Sequence, residues 1–175
     1  LVCNKYINNG GKGMDIERRI LEMLEHDARL SAKTIATMID ADEKIVEDTI
    51  ARLEKEKTIL GYRALVNWEN TEWEGVTAMI EVKVSPEREV GFNSTAERIY
   101  RFPEVRSVYL MSGGFDLTVI VEGKSLKDIA HFVTHKLSAL DQVQSTVSHF
   151  ILKRYKEDHV IFGDKDDDKR LVVSP

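Results

Sequence analysis

The chain has 175 residues, 31% of them charged and 42% hydrophobic, with a net charge of −5 at pH 7. That composition fits a soluble globular protein of one or two small domains, and no apolar run approaches the roughly 20 residues that a bilayer span needs. One cysteine, Cys3, excludes an internal disulfide and points to a reducing cytoplasm. Cys/His clusters at zinc spacing are absent, so neither a metal nor a cofactor is expected.

Residues 1–13 (LVCNKYINNGGKG) lack periodicity and are rich in Asn and Gly, which predicts a disordered leader. Met14 opens the first periodic segment and reads as the native start. Ile16, Ile20, Leu21 and Leu24 share one face of a first helix. Ser31 is a good N-cap for a short second helix carrying Ile35, Ala36 and Ile39. Asp42 caps a third, with Ile45, Val46, Thr49, Ile50 and Leu53 expected to face inward. Only Asp40-Ala41 separates the second helix from the third, the layout of a helix-turn-helix. Residues 59–66 (ILGYRALV) read as a short strand or wing, completing a domain over 14–66.

A polar and aromatic linker is expected over 67–75. Residues 77–84 then alternate, with Ala78, Ile80, Val82 and Val84 on one face and Glu81 and Lys83 on the other. A helix predicted from Pro86 turns Phe92, Ala96 and Ile99 inward and stops before Pro103. Two β-type runs follow, 105–111 and 115–122, joined by Ser112-Gly113-Gly114 as a hairpin turn. Ser125 caps a helix with Leu126, Ile129, Ala130, Val133, Leu137 and Leu140 on one stripe, and 146–155 forms the last strand. The order β-α-β-β-α-β is the ferredoxin-like unit, placed at 76–156, with a disordered charged tail over 157–175. Its helices cover one sheet face. Met79, Ser107, Tyr109 and Met111 make the other too apolar for water, which predicts self-association.

Four pieces carry a family resemblance. "DIERRILEMLEHDARLS" and "RLEKEKTILGYRALV" bracket the helix-turn-helix, "FPEVRSVYLMSGGFDL" spans the glycine hairpin, and "TVSHFILK" is the last strand. In this order they resemble the Lrp/AsnC (leucine-responsive, feast/famine) transcription regulators, across roughly residues 14–156. The resemblance implies an α+β protein, a winged helix-turn-helix joined to a ferredoxin-like effector domain of the RAM type. It also implies double-stranded DNA as a partner, a small effector (usually an amino acid), and assembly as a dimer and then a tetramer or octamer.

On the DNA side, the third helix enters the major groove, and Ser31, Lys33, Lys44, Arg52 and Arg63 are the candidate contacts. Residues 42–57 carry four cations against six anions, and Thr49 stands where family members commonly place an arginine. Acids there oppose the counterion release that drives binding. A bland reading of Lys44 and Arg52 is therefore solvated helix residues paired with Asp48 at i,i+4 spacing.

On the effector side, an amino-acid zwitterion needs an ammonium acceptor, carboxylate donors and an apolar wall. Asp116 supplies the first, the Gly113 and Gly114 backbone the second, and Met111 part of the third. Thr146 and Ser148 fall where the resemblance places hydroxyls, and they face one side because Val147 separates them. The bland alternative makes Asp116 a structural cap of the hairpin.

Two rival functions remain open on the sequence. The acidic third helix suits a poorly DNA-binding partner of other family members. Proteins similar to this family also include tetrapyrrole decarboxylases, for which His131, His135 and His149 would be acid–base candidates. His131 and His135 lie off the apolar stripe, however, and read as surface residues.

Overall fold

The computed structural model describes residues 12–73, 75–85 and 91–162. Residues 1–11 of the leader expected over 1–13, the helix start at Pro86 and residues 163–175 of the tail expected over 157–175 lie outside the described residues, whereas residues 12 and 13, expected to be disordered, are helical. The chain divides into two compact units between Val66 and Asn67.

The first unit is three helices: α1 (Lys12–His26), α2 (Ala32–Ile39) and α3 (Glu43–Lys55). The first begins two residues before Met14. Ile20, Leu24, Ile35, Ala36, Ile39 and Val46 form its core. Ser31 Oγ accepts from the Thr34 amide at 3.1 Å, and Asp42 Oδ1 accepts from the Lys44 amide at 2.8 Å. Each cap satisfies an amide that the helix itself leaves unpaired. Asp40 ends α2 in the left-handed region (φ 55°), which Asp tolerates better than most residues. That conformation makes the turn into α3 tight.

Two expectations fail here. Ile45, assigned inward, is 53% exposed, because the buried side of α3 centres on Val46 and Leu53. The run 59–66 forms no strand in the single chain. It has no ladder to join among the described residues, and Leu60 stands out in solvent.

The second unit begins with a 3₁₀ turn, Trp68–Asn70, capped by Asn67. Trp73 lies 5.6 Å from Trp68, centroid to centroid, and packs flat enough on Gly75 that a Cβ there would meet its ring at 1.8 Å. Then come β1 (Val76–Val84), α4 (Asn93–Tyr100), β2 (Val105–Leu110), β3 (Leu117–Gly123), α5 (Leu126–Phe132) and β4 (Val143–Phe150). The strands pair antiparallel in the order β2-β3-β1-β4, the ferredoxin-like arrangement. Ala78, Ile80, Val82 and Val84 are all buried on the helix-covered face, as their alternation requires.

The stripe on α5 differs from expectation. Leu126 and Ala130 are exposed, whereas Phe132 is buried and meets Phe102 edge-on at 5.6 Å. The helix widens after Phe132 into a π turn, Val133–Leu137, which shifts the register and brings Leu137 and Leu140 under the sheet.

The last strand is shorter than expected, ending at Phe150. The segment assigned partly to the tail folds into a hairpin of β5 (Lys156–Glu157) and β6 (Val160–Ile161). Its two turn residues, Asp158 (φ 44°) and His159 (φ 67°), both have positive φ, the requirement of a type I′ turn. Arg154 ties the hairpin down, donating to Glu157 Oε2 and Thr77 Oγ1.

Among its own described residues, this unit packs no helix on the second sheet face. Met79 and Ser107 are half-buried there, Tyr109 and Val147 are exposed, and His149 meets Glu81 at 3.3 Å.

Candidate DNA-binding surface and effector site

The five candidate DNA contacts fall into two groups. Lys33 and Arg63 are exposed and unpaired among the described residues. The other three are engaged. Ser31 Oγ serves the α2 cap and also shares a hydrogen bond with Thr34 Oγ1 at 2.8 Å. Lys44 pairs with Asp48 at 3.2 Å, the i,i+4 contact read from spacing.

Arg52 does not join Asp48. One guanidinium nitrogen goes to Glu17 on α1, and the other donates to Glu56 at 2.8 Å. Glu17 first, then Glu56, raises the Arg52 pKa still further. Arg52 therefore clamps α3 to α1, and a phosphate would have to compete with two carboxylates for it. Tyr62 likewise turns back, donating to Glu54 at 2.9 Å beside a shallow cleft lined by Leu24, Leu30 and Ile50.

In the second unit Asp116 sits where three strands meet. Its amide donates to the Val82 carbonyl at 3.1 Å, its carbonyl accepts from the Met111 amide at 2.8 Å, and Oδ2 accepts from the Val84 amide at 2.9 Å. The last bond has a geometric cause: the β1–β3 ladder ends at the Val82–Leu117 pair, and the Val84 amide, two residues on, faces the same side as the Val82 carbonyl with no ladder partner left. Asp116 takes that amide. Lys83 Nζ completes the group, 3.7 Å from Oδ2 and 3.4 Å from the Gly114 carbonyl. The Asp116 carboxylate thus has a structural role, but not the expected one of capping the hairpin. The bond goes to the neighbouring strand and not to the glycine loop.

Ser112, Gly113 and Gly114 are exposed, and a Cβ on either glycine would meet nothing within 4 Å. Met111 beside them is 41% exposed. Across β1, Thr146 registers with Val82 and Ser148 with Ile80, so the two hydroxyls share the helix-side face at an uncovered edge. Lys83 leaves β1 from the opposite face. Asp116 and the two hydroxyls therefore flank one end of β1 without converging on a common cavity in the single chain.

Sequence reasoning missed Lys83 as the partner of Asp116. The signal was the register of β1 against β3, which a strand pattern does not contain. Among the described residues no helix is long and apolar enough to cross a membrane.

A helix-turn-helix unit followed by a ferredoxin-like unit with an unoccupied sheet face defines a class, the transcription regulators that carry their own small-molecule domain. Comparison narrows it. The family model described as "Lrp/AsnC ligand binding domain" matches residues 77–161. YugG, an uncharacterized HTH-type transcriptional regulator of Bacillus subtilis, is 54% identical over 160 residues, covering 91% of this chain and 96% of that one. An uncharacterized HTH-type regulator of Pyrococcus furiosus is 32% identical over 144 residues, covering 82% and 94%. The chain belongs to the Lrp/AsnC family of transcription regulators. Its fold is also that of solved structures. Escherichia coli AsnC has a TM-score of 0.64 at 19% identity, covering 87% of this chain and 97% of that one. The Neisseria meningitidis regulator NMB0573, solved with L-Met, has a TM-score of 0.68 at 23% identity, covering 85% and 94%.

Proposed function

We propose that the chain binds double-stranded DNA through α3 and its flanks, and that a small effector, an amino acid, changes its assembly or its DNA affinity. The observation that carries this reading is the union, in one chain, of a helix-turn-helix with the family's ligand-binding domain. Lys33 and Arg63 meet phosphates, Ser31 and Lys44 stand at the groove, and Arg52, held by Glu17 and Glu56, fixes α3 in place behind them. Met111, Gly113, Gly114, Asp116, Thr146 and Ser148 make the effector site, with Lys83 as counter-charge to Asp116. The solved complex of a similarly folded regulator with L-Met supports an amino acid as the class of effector.

Because these groups do not converge within one chain, the site closes between chains, in a dimer or a larger homo-oligomer of four or eight. The apolar sheet face bearing Met79, Tyr109 and Val147 supports such an assembly. An effector bound between copies favours the assembled state, which is the differential affinity that allostery requires. The test is a mobility shift at low salt on the chain's own promoter region, paired with calorimetry against the twenty amino acids. Retarded DNA and one saturable amino acid support the reading. No shift, with no heat from any amino acid at millimolar concentration, overturns it.

A second reading has its own observation. With Lys44 and Arg52 neutralised internally, the chain serves as a weak-binding partner in mixed assemblies with more basic family members. Co-purification with such a paralogue, alongside undetectable DNA binding alone, would favour it.

A further inference from the structure

The widened end of α5 sets two imidazoles side by side. His131 and His135 are both exposed, their ring centroids are 4.3 Å apart, and the planes are tilted by 43°. Neither ring is hydrogen-bonded to another side chain among the described residues, so both leave their nitrogens free. His135 stands inside the π turn Val133–Leu137, a rare conformation that concentrates at functional sites. Beside His131 lies a cleft lined by Glu104, Asp128, Phe132 and Lys136. Lys136 Nζ donates to Glu104 Oε1 at 2.5 Å, while Glu104 Oε2 is buried and has no hydrogen-bond partner. A buried carboxylate oxygen without a donor is costly, and His131, which lines the same cleft, carries a ring N–H that could supply one.

We propose that His131 and His135 form a two-imidazole site for a divalent transition ion of the Zn²⁺ or Ni²⁺ kind, with Glu104 Oε2 as outer acceptor for the second N–H of His131. Three arguments converge on it. Imidazole nitrogens suit these ions and not Mg²⁺ or Ca²⁺, which take oxygen donors. A four-residue spacing on helical backbone puts both donors on one face, as in the paired histidines of helix-borne zinc motifs. A ligating histidine ordinarily gives its other ring N–H to a carboxylate or carbonyl, which fixes its orientation and strengthens it as a ligand. Glu104 and His131 line the same cleft.

No group of three or more His, Cys, Asp or Glu among the described residues could hold an ion by itself. The site is therefore open, with water in the remaining positions, and weaker than a closed four-ligand zinc centre.

Calorimetry of the full chain against zinc chloride and nickel chloride tests it, with magnesium chloride as control. A Cys3→Ser background removes the lone thiol. Zinc and nickel are expected to bind at no more than one ion per chain at this site, and magnesium to give no heat. His131→Gln with His135→Gln together abolishes that binding, whereas His149→Gln leaves it intact. Glu104→Gln replaces the carboxylate with a weaker, neutral acceptor and weakens binding about tenfold, the low end of the cost of disturbing an outer partner. Circular dichroism confirms that each variant folds, and both histidines are surface residues whose loss leaves the core untouched. Zinc binding of parent strength in the double-histidine variant, or no binding by the parent, overturns the proposal. Parent affinity in Glu104→Gln overturns the outer-acceptor assignment.

Discussion

Arg52 on α3 pairs with Glu17 on α1, so the most central cation of α3 is spent holding the helical unit together. This separates two roles that spacing alone merges. If Arg52 is a clamp, Arg52→Gln lowers the melting temperature of the helical unit while leaving the salt dependence of DNA binding nearly unchanged. Lys33→Gln and Arg63→Gln should do the reverse, each reducing the slope of log K against log salt by about one. Binding isotherms at four or five salt concentrations read all three. A reduced slope for Arg52→Gln would place that guanidinium on phosphate.

Asp116→Ala should destabilise the second unit by about 2 kcal/mol, because it strands the Val84 amide beyond the end of the β1–β3 ladder and removes the partner of Lys83. Asp116→Asn keeps an acceptor and should cost less. Urea denaturation measures both. An effector role is read separately: Asp116→Asn, though folded, should lose its response to whichever amino acid the parent binds.

The revised inner stripe of α5 makes a sharp contrast. Phe132→Ala removes a buried ring that packs on Phe102 and should cost about 3–5 kcal/mol. Leu126→Ala, at an exposed position, should fall within about 0.5 kcal/mol of the parent. The same urea titration compares them, and similar losses would restore the stripe drawn from periodicity.

Acid stability should depend on Glu104. Burial pushes its carboxyl up, but Lys136, a backbone hydrogen bond and His131 together outweigh burial and hold it below the ordinary value of 4.5. A carboxyl depressed in the folded state stabilises fully above its unfolded pKa and loses that stabilisation as pH falls through the folded value. The loss therefore begins just below pH 4.5 and grows toward lower pH. Glu104→Gln should flatten this limb of the stability profile, measured by denaturation between pH 3 and 7.

Much of the fold was legible because its signals are local. Ser31, Asp42 and Ser125 cap the helices they were assigned, and strict alternation placed Ala78, Ile80, Val82 and Val84 inside before any sheet was seen. What escaped depends on longer-range facts. The π turn after Phe132 resets helical phase, so a 3.6-residue stripe drawn from Leu126 misassigns both Leu126 and Ala130. The Asp158-His159 turn lacks the glycine or asparagine that flags a type I′ hairpin. The strand expected over 59–66 has strand-like composition but no partner in one chain. The candidate site was half legible. Asp116 stood out as the one acid beside a glycine loop, yet its bond to Val84 and its pairing with Lys83 come from register, which no single strand encodes.

Trp68 and Trp73 are the only indoles in the sequence, and both sit just past the division between the two units. Indole emission from the unlabelled protein, excited selectively beyond the tyrosine absorption, thus originates entirely in that short stretch. Any event that loosens Trp73 from Gly75, whether binding, assembly or unfolding, will register as a change in colour or brightness. The molecule carries its own optical gauge at the junction.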